Sequence, residues 1–129
     1  NKPGKLQILP WCDYKEYASK HSGKTLCVID IEGGEMDFLN PEALPELKRS
    51  DVMVEVHKTN QSVQANTEEL TKRFASTHTI QVIETTPDRD VAEYELPSPM
   101  PAKETMKRAF SEGRATPQFW LWMKQKNES

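Results

Sequence analysis

Five short apolar or β-branched runs punctuate this chain, separated by longer polar stretches with helical spacing. The runs lie at residues 6–9, 25–31, 52–57, 79–83 and 119–123. Their alternation with helical segments predicts an α/β layer architecture with largely parallel strands. The first run is short and is stopped by Pro10. The second, TLCVIDI, is nearly all apolar, as a strand covered on both faces should be. In the third, VMVEVH, side chains alternate, so Val52, Val54 and Val56 share one face while Met53, Glu55 and His57 share the other. The closing run, FWLWM, is apolar on both faces and is expected to be buried too.

Helical signals fill the gaps. Asp13 with Glu16 resembles a capping box, and Tyr14, Tyr17 and Ala18 then fall on one face of a helix reaching about His21. Residues 35–39 suit one turn of helix, and Asn40 with Pro41 starts another to about Arg49, which Pro45 keeps short or bends. Asn66 with Glu69 forms a second capping box, with Leu70 and Phe74 one turn apart in a helix to about Ser76. Ala102, Met106, Ala109 and Phe110 mark a fourth helical face closed by Gly113. Residues 58–65 and 85–101 read as loops.

Composition narrows the function classes. At 129 residues the chain suits one domain. With 36% hydrophobic and 29% charged residues and a mean hydropathy of -0.76, its core is modest. Twenty acidic against seventeen basic residues leave a net charge of -3 with no basic run, which argues against nucleic acid as partner. Cys12 and Cys27 are too few for a zinc cluster or a disulfide framework, so a reducing, cytoplasmic setting is expected. No apolar run approaches the roughly 20 residues of a membrane span, and no signal peptide is visible, so no membrane partner is expected. The chain opens on Asn1 rather than methionine, which suggests a piece of a longer reading frame.

Candidate chemistry gathers where the second and third runs end. In open α/β sheets ligands bind beyond the carboxyl ends of strands. The second run leads into Asp30, Glu32, Gly33, Gly34 and Glu35, and the third ends in Glu55 and His57. Period two puts Asp30 with Glu32 on one face, and Glu55 with His57 on one face, so neighbouring strands would point all four into one crevice. Acid–base work or metal ligation is then open to them. A plainer role, an N-cap for the following helix, is as good a description of Glu32 or Glu35. Glu55, inside an apolar strand, must find a partner or titrate. His57 taken alone is an ordinary strand-end residue, and Trp11, Trp120 and Trp122 read as core. No chemistry is assigned to His21 or His78. Gly33 and Gly34 are the one place where backbone could closely approach a ligand, and no P-loop or dinucleotide fingerprint is present.

The passage CVIDIEGGEMDFL, followed by DVMVEVH, resembles the strand, D-x-E-G-x-E, helix and strand ending in E-x-H of FkbM-type S-adenosylmethionine-dependent methyltransferases. The match falls on Asp30, Glu32, Gly33, Glu35, Glu55 and His57. The resemblance implies a Rossmann-like three-layer α/β/α fold, with a mostly parallel sheet and an antiparallel last strand. It covers the second half of the family's domain and lacks the N-terminal cofactor-binding strands. It implies catalytic roles for Asp30, Glu32, Glu35, Glu55 and His57, assigns no metal, and offers S-adenosylmethionine as cofactor, although the glycine-rich cofactor loop has no counterpart here. A domain halved in this way would bind its missing N-terminal half or pair as a homodimer, because its strand edge is apolar. The other reading is a metal-dependent nuclease or phosphodiesterase, since Asp30-Ile31-Glu32 resembles the first motif of DEDD exonucleases. The later motifs of those enzymes are not recognisable and the acidic excess would repel nucleic acid, so the methyltransferase-like reading is preferred.

Overall fold

A computed structural model describes residues 24–85 and 117–126, together with the isolated positions 4, 8 and 105. The helix reaching about His21, the helical face around Met106, and Trp11, Cys12 and His21 lie outside the described residues, apart from Thr105, which is helical. Of the run 6–9 only Ile8 is described; it is exposed and in no strand.

Four strands form one sheet: β1 (Thr25–Ile29), β2 (Ser50–Val56), β3 (His78–Glu84) and β4 (Phe119–Gln125), in the order β1-β2-β4-β3. β1 and β2 pair in parallel, in register from Thr25 opposite Ser50 to Ile29 opposite Val54. β4 is antiparallel to both β2 and β3, so β1, β2 and β3 all run one way and only β4 runs against them. The expectation of a mostly parallel sheet is therefore corrected at the level of pairings. By inserting between β2 and β3, the reversed last strand converts what would be a parallel contact into two antiparallel ones.

Between β1 and β2 the chain makes the short helix α1 (Glu35–Phe38) and a 3-10 helix, Pro45–Arg49. Asn40 caps a turn rather than a helix: its Oδ1 accepts the N–H groups of Glu42 and Ala43 at 3.0 and 3.2 Å. Helix then waits for Pro45, whose fixed φ suits a first turn. The helix α2 (Val63–Phe74) links β2 to β3. It begins three residues before the predicted Asn66 start, because Ser62 Oγ accepts the Ala65 N–H at 3.1 Å and is the true cap.

Register places Cys27, Ile29, Val52, Val54, Val56, Leu121, Met123 and Ile80 on one face of the sheet. Leu70 and Phe74 of α2, with Leu39, Leu44 and Leu47, complete a single apolar cluster against that face. His78, predicted to precede a strand, instead opens β3. It is buried, with Nε2 2.8 Å from the Ser50 carbonyl, Nδ1 2.8 Å from Thr77 Oγ1 and its ring edge-on to Phe74. The opposite face carries Leu26, Val28, Met53, Trp120, Trp122 and Ile83, of which Leu26 and Val28 are 56% and 64% exposed. Covering of TLCVIDI on both faces, and full burial of FWLWM, are thus not what the described residues show, and a second helical layer is not among them. No described helix is long and apolar enough to cross a membrane.

Candidate functional site

Because β1, β2 and β3 run together, their carboxyl ends meet at one end of the sheet, and reversed β4 begins there, with Phe119 opposite both Val56 and Glu84. β1 ends at Ile29, two residues short of the predicted 25–31 strand. Asp30 and Glu32 therefore do not share a strand face; Asp30 directly follows the strand and Glu32 stands in a tight turn. Glu32 takes a left-handed φ of 53° and Gly33 a φ of 103°, and the turn closes with Gly34 donating to the Ile31 carbonyl at 3.3 Å. A left-handed glutamate costs roughly 1 kcal/mol, so something in the surroundings fixes this turn.

Glu35 does the fixing. Its side chain is 1% exposed, and its carboxylate accepts N–H bonds from Ile31 at 3.2 Å and from Gly33 at 3.0 and 3.2 Å. The fourth contact is His57 Nδ1, 2.7 Å away, in the first residue after β2. Burial pushes the Glu35 carboxyl up, but hydrogen bonds from backbone N–H groups and from His57 outweigh it and hold it below its ordinary value. The carboxylate is thus the acceptor, and His57 Nδ1–H donates to it.

That bond aims His57 Nε2 at three further carboxylates. Asp30 Oδ1 and Glu32 Oε2 are each 3.6 Å from it and Glu55 Oε1 is 3.7 Å. These distances exceed hydrogen-bond length, and Nε2 is a buried atom with no hydrogen-bond partner among the described residues. Burial pulls the imidazole's pKa down, but the bond to Glu35 and the charges of Glu35, Glu55 and Glu32 raise it above its ordinary value. Asp30, Glu55 and His57 bring one ligand-type atom each within 4.8 Å of one another. Four of the five sequence-predicted residues therefore converge on the imidazole of the fifth, His57, and an acid–base cluster or a cation seat are both within its chemistry.

Two residues of the site escaped the sequence. Gln118, just before β4, donates its side-chain N–H to Glu55 Oε1, and its backbone exchanges hydrogen bonds with Thr85. Asn66, buried at 1% exposure on α2, donates to the His57 carbonyl at 2.8 Å and to Thr59 Oγ1 at 3.1 Å, fixing the segment that carries the imidazole. The capping-box signal at Asn66 was real polarity put to a different use. Gly33 and Gly34, expected to approach a ligand, spend their N–H groups on Glu35 and Ile31.

A scan of protein-family models finds no match to this chain, and searches of curated proteins and of solved structures find none either.

Proposed function

We propose that this chain is the acceptor-side part of an FkbM-type, S-adenosylmethionine-dependent methyltransferase-like domain, with Asp30, Glu32, Glu35, Glu55 and His57 as its working cluster. One observation carries the reading: the residues of the D-x-E-G-x-E and E-x-H motifs, separate in sequence, converge around His57 at the carboxyl ends of two adjacent parallel strands. The reversed strand β4 also agrees with the antiparallel last strand that the resemblance implies.

The described residues do not fit the cofactor itself. The Gly33 N–H is committed to Glu35 and the Gly34 N–H to Ile31, so this turn offers no backbone cradle, and four carboxylates would repel the cofactor's own. What they supply is charge and proton handling. In this reading Glu32, 83% exposed, takes the proton of an acceptor hydroxyl, and the imidazole 3.6 Å from it compensates the carboxylates when charged. Glu35 positions that imidazole rather than reacting.

The test is a titration of the 129-residue chain with S-adenosylmethionine by calorimetry and by amide NMR. Weak binding, with shifts gathered at residues 30–35 and 55–59 and strengthened in Glu55→Gln, which removes one of the repelling carboxylates, is the expected result. Saturating cofactor that moves no crevice resonance would end the proposal.

A further inference from the structure

We propose that Asp30, Glu55 and His57 form a binding site for one divalent transition-metal ion, with Nε2 of His57 as its nitrogen ligand. The inference uses the same cluster but stands on its geometry and not on the methyltransferase reading.

The first observation is a place that calls for positive charge, supplied either by a proton on Nε2 or by a metal ion. With Nδ1–H committed to Glu35 at 2.7 Å, a neutral imidazole presents its Nε2 lone pair to three carboxylates at 3.6, 3.6 and 3.7 Å. Lone pair facing anions is unfavourable in a partly buried site unless positive charge lies between them. A direct hydrogen bond does not solve this, because every one of these distances is too long for one. Nε2 is nevertheless a buried atom that faces the three carboxylates at ion-pair distance without a hydrogen-bond partner among the described residues, on a side chain only 13% exposed.

The second observation is the spacing. Donor atoms sharing a metal at about 2.1–2.2 Å stand roughly 3.0–3.6 Å apart for angles between square and tetrahedral, and about 4.3 Å apart when opposed. The separation of 3.6 Å falls at the top of the first range and 3.7 Å between the two values, while the 4.8 Å that bounds the group exceeds the opposed spacing. Small rotations of two carboxylates would close the difference.

The third is the outer shell. A metal-bound histidine typically donates its other ring N–H to a carboxylate, which fixes tautomer and direction, and ligating carboxylates are themselves hydrogen-bonded. Glu35 stands in that relation to His57, and Gln118 to Glu55. Asp30, at 52% exposure, leaves a path for entry. One imidazole with carboxylates suits ions such as Mn²⁺ better than the all-oxygen preferences of Ca²⁺ and Mg²⁺. Glu32, outside the ligand set, keeps the proton-accepting position described above.

The experiment is a Mn²⁺ titration of the full chain, read by loss of the free-ion EPR signal and by calorimetry, with pulsed EPR on the bound ion. One saturable ion per chain, a ¹⁴N coupling from the imidazole, and at least about tenfold weaker binding in Asp30→Asn are expected. His57→Gln should remove the nitrogen coupling. Should that variant fail to fold, the coupling in the parent protein and the exposed Asp30→Asn change decide the matter. Glu69→Gln, on α2 and paired with Arg73 rather than with the cluster, serves as the unaffected control. Absence of saturable binding, an ion without nitrogen coupling, or an Asp30→Asn variant that binds like the parent would overturn the proposal. None of these outcomes bears on S-adenosylmethionine binding, so the two readings fail separately.

Discussion

The turn between β1 and α1 shows at single-residue scale why two adjacent glycines are not equivalent. Gly33 has a φ of 103°, where a side chain is strained whatever the room, and a Cβ there would meet nothing nearer than 3.9 Å. Gly33→Ala should therefore cost about 1–3 kcal/mol through the backbone alone, read from urea unfolding. A Cβ at Gly34 would sit 3.1 Å from the tip of Ile31, a side chain 48% exposed and able to turn away, so Gly34→Ala should fall within about 0.5 kcal/mol of the parent. The neighbouring Glu35–His57 pair gives a pH signature in the metal-free protein. Glu35 is held below its ordinary 4.5, so its stabilisation is present above that value and fades as pH falls. His57 is held above its ordinary 6.5, so its contribution is full below that value and is lost as pH rises through the raised pKa. Stability from the pair is thus greatest between these two ordinary values. Glu35→Gln, which removes the charge that Ile31, Gly33 and His57 all bind, should lower stability by about 2 kcal/mol near pH 6 and flatten the profile. An unchanged pH profile in that variant would show that the pair contributes nothing.

Elements were legible in proportion to how local their causes are. The parallel pairing of β1 with β2 follows from apolar runs separated by a helical crossover, and the reversal of β4 follows only from the family resemblance. Placement of β4 between β2 and β3 follows from neither, because a strand's choice of neighbour is settled by tertiary pairing and leaves no mark in its own residues. The early end of β1 was hidden for a similar reason. Ile31 extends the apolar pattern, yet Glu35, four residues on, draws the Ile31 N–H out of the ladder and into its own carboxylate. Asn66 is the clearest case of a polar residue whose role depends on a distant partner. Its Nδ2 ties α2 to the His57 carbonyl and to Thr59, so Asn66→Ala leaves a partly buried carbonyl without its donor. We expect a loss of about 1–3 kcal/mol together with a shifted His57 ring resonance in NMR, because the segment holding the imidazole is released. Normal His57 shifts in a destabilised Asn66→Ala protein would show that α2 supports the fold without positioning the site.

For the molecule as a whole, the sheet is the deciding feature: one face is packed, and the other is exposed at its β1 side among the described residues. Strand alternation sends Val52, Val54, Leu121 and Met123 into the cluster under α2, and the same alternation leaves Leu26 and Val28 facing out, 56% and 64% exposed. β1 is also an edge strand, with β2 as its only strand neighbour among the described residues. Apolar side chains stand along this strand, and within β1 no proline or lysine blunts it. Burying such a strip in a second copy removes apolar area from water at about 25 cal/mol per Å², which favours association over an exposed monomer. Sedimentation of the 129-residue chain should therefore report a dimer. Val28→Lys, placed at the most exposed apolar position of that strand, should shift the equilibrium to monomer while changing unfolding free energy by no more than about 0.5 kcal/mol, since the side chain it replaces lies outside the packed cluster. A parent protein that sediments as a monomer at all concentrations, or a Val28→Lys protein that remains dimeric, would place the contact elsewhere than the β1 edge.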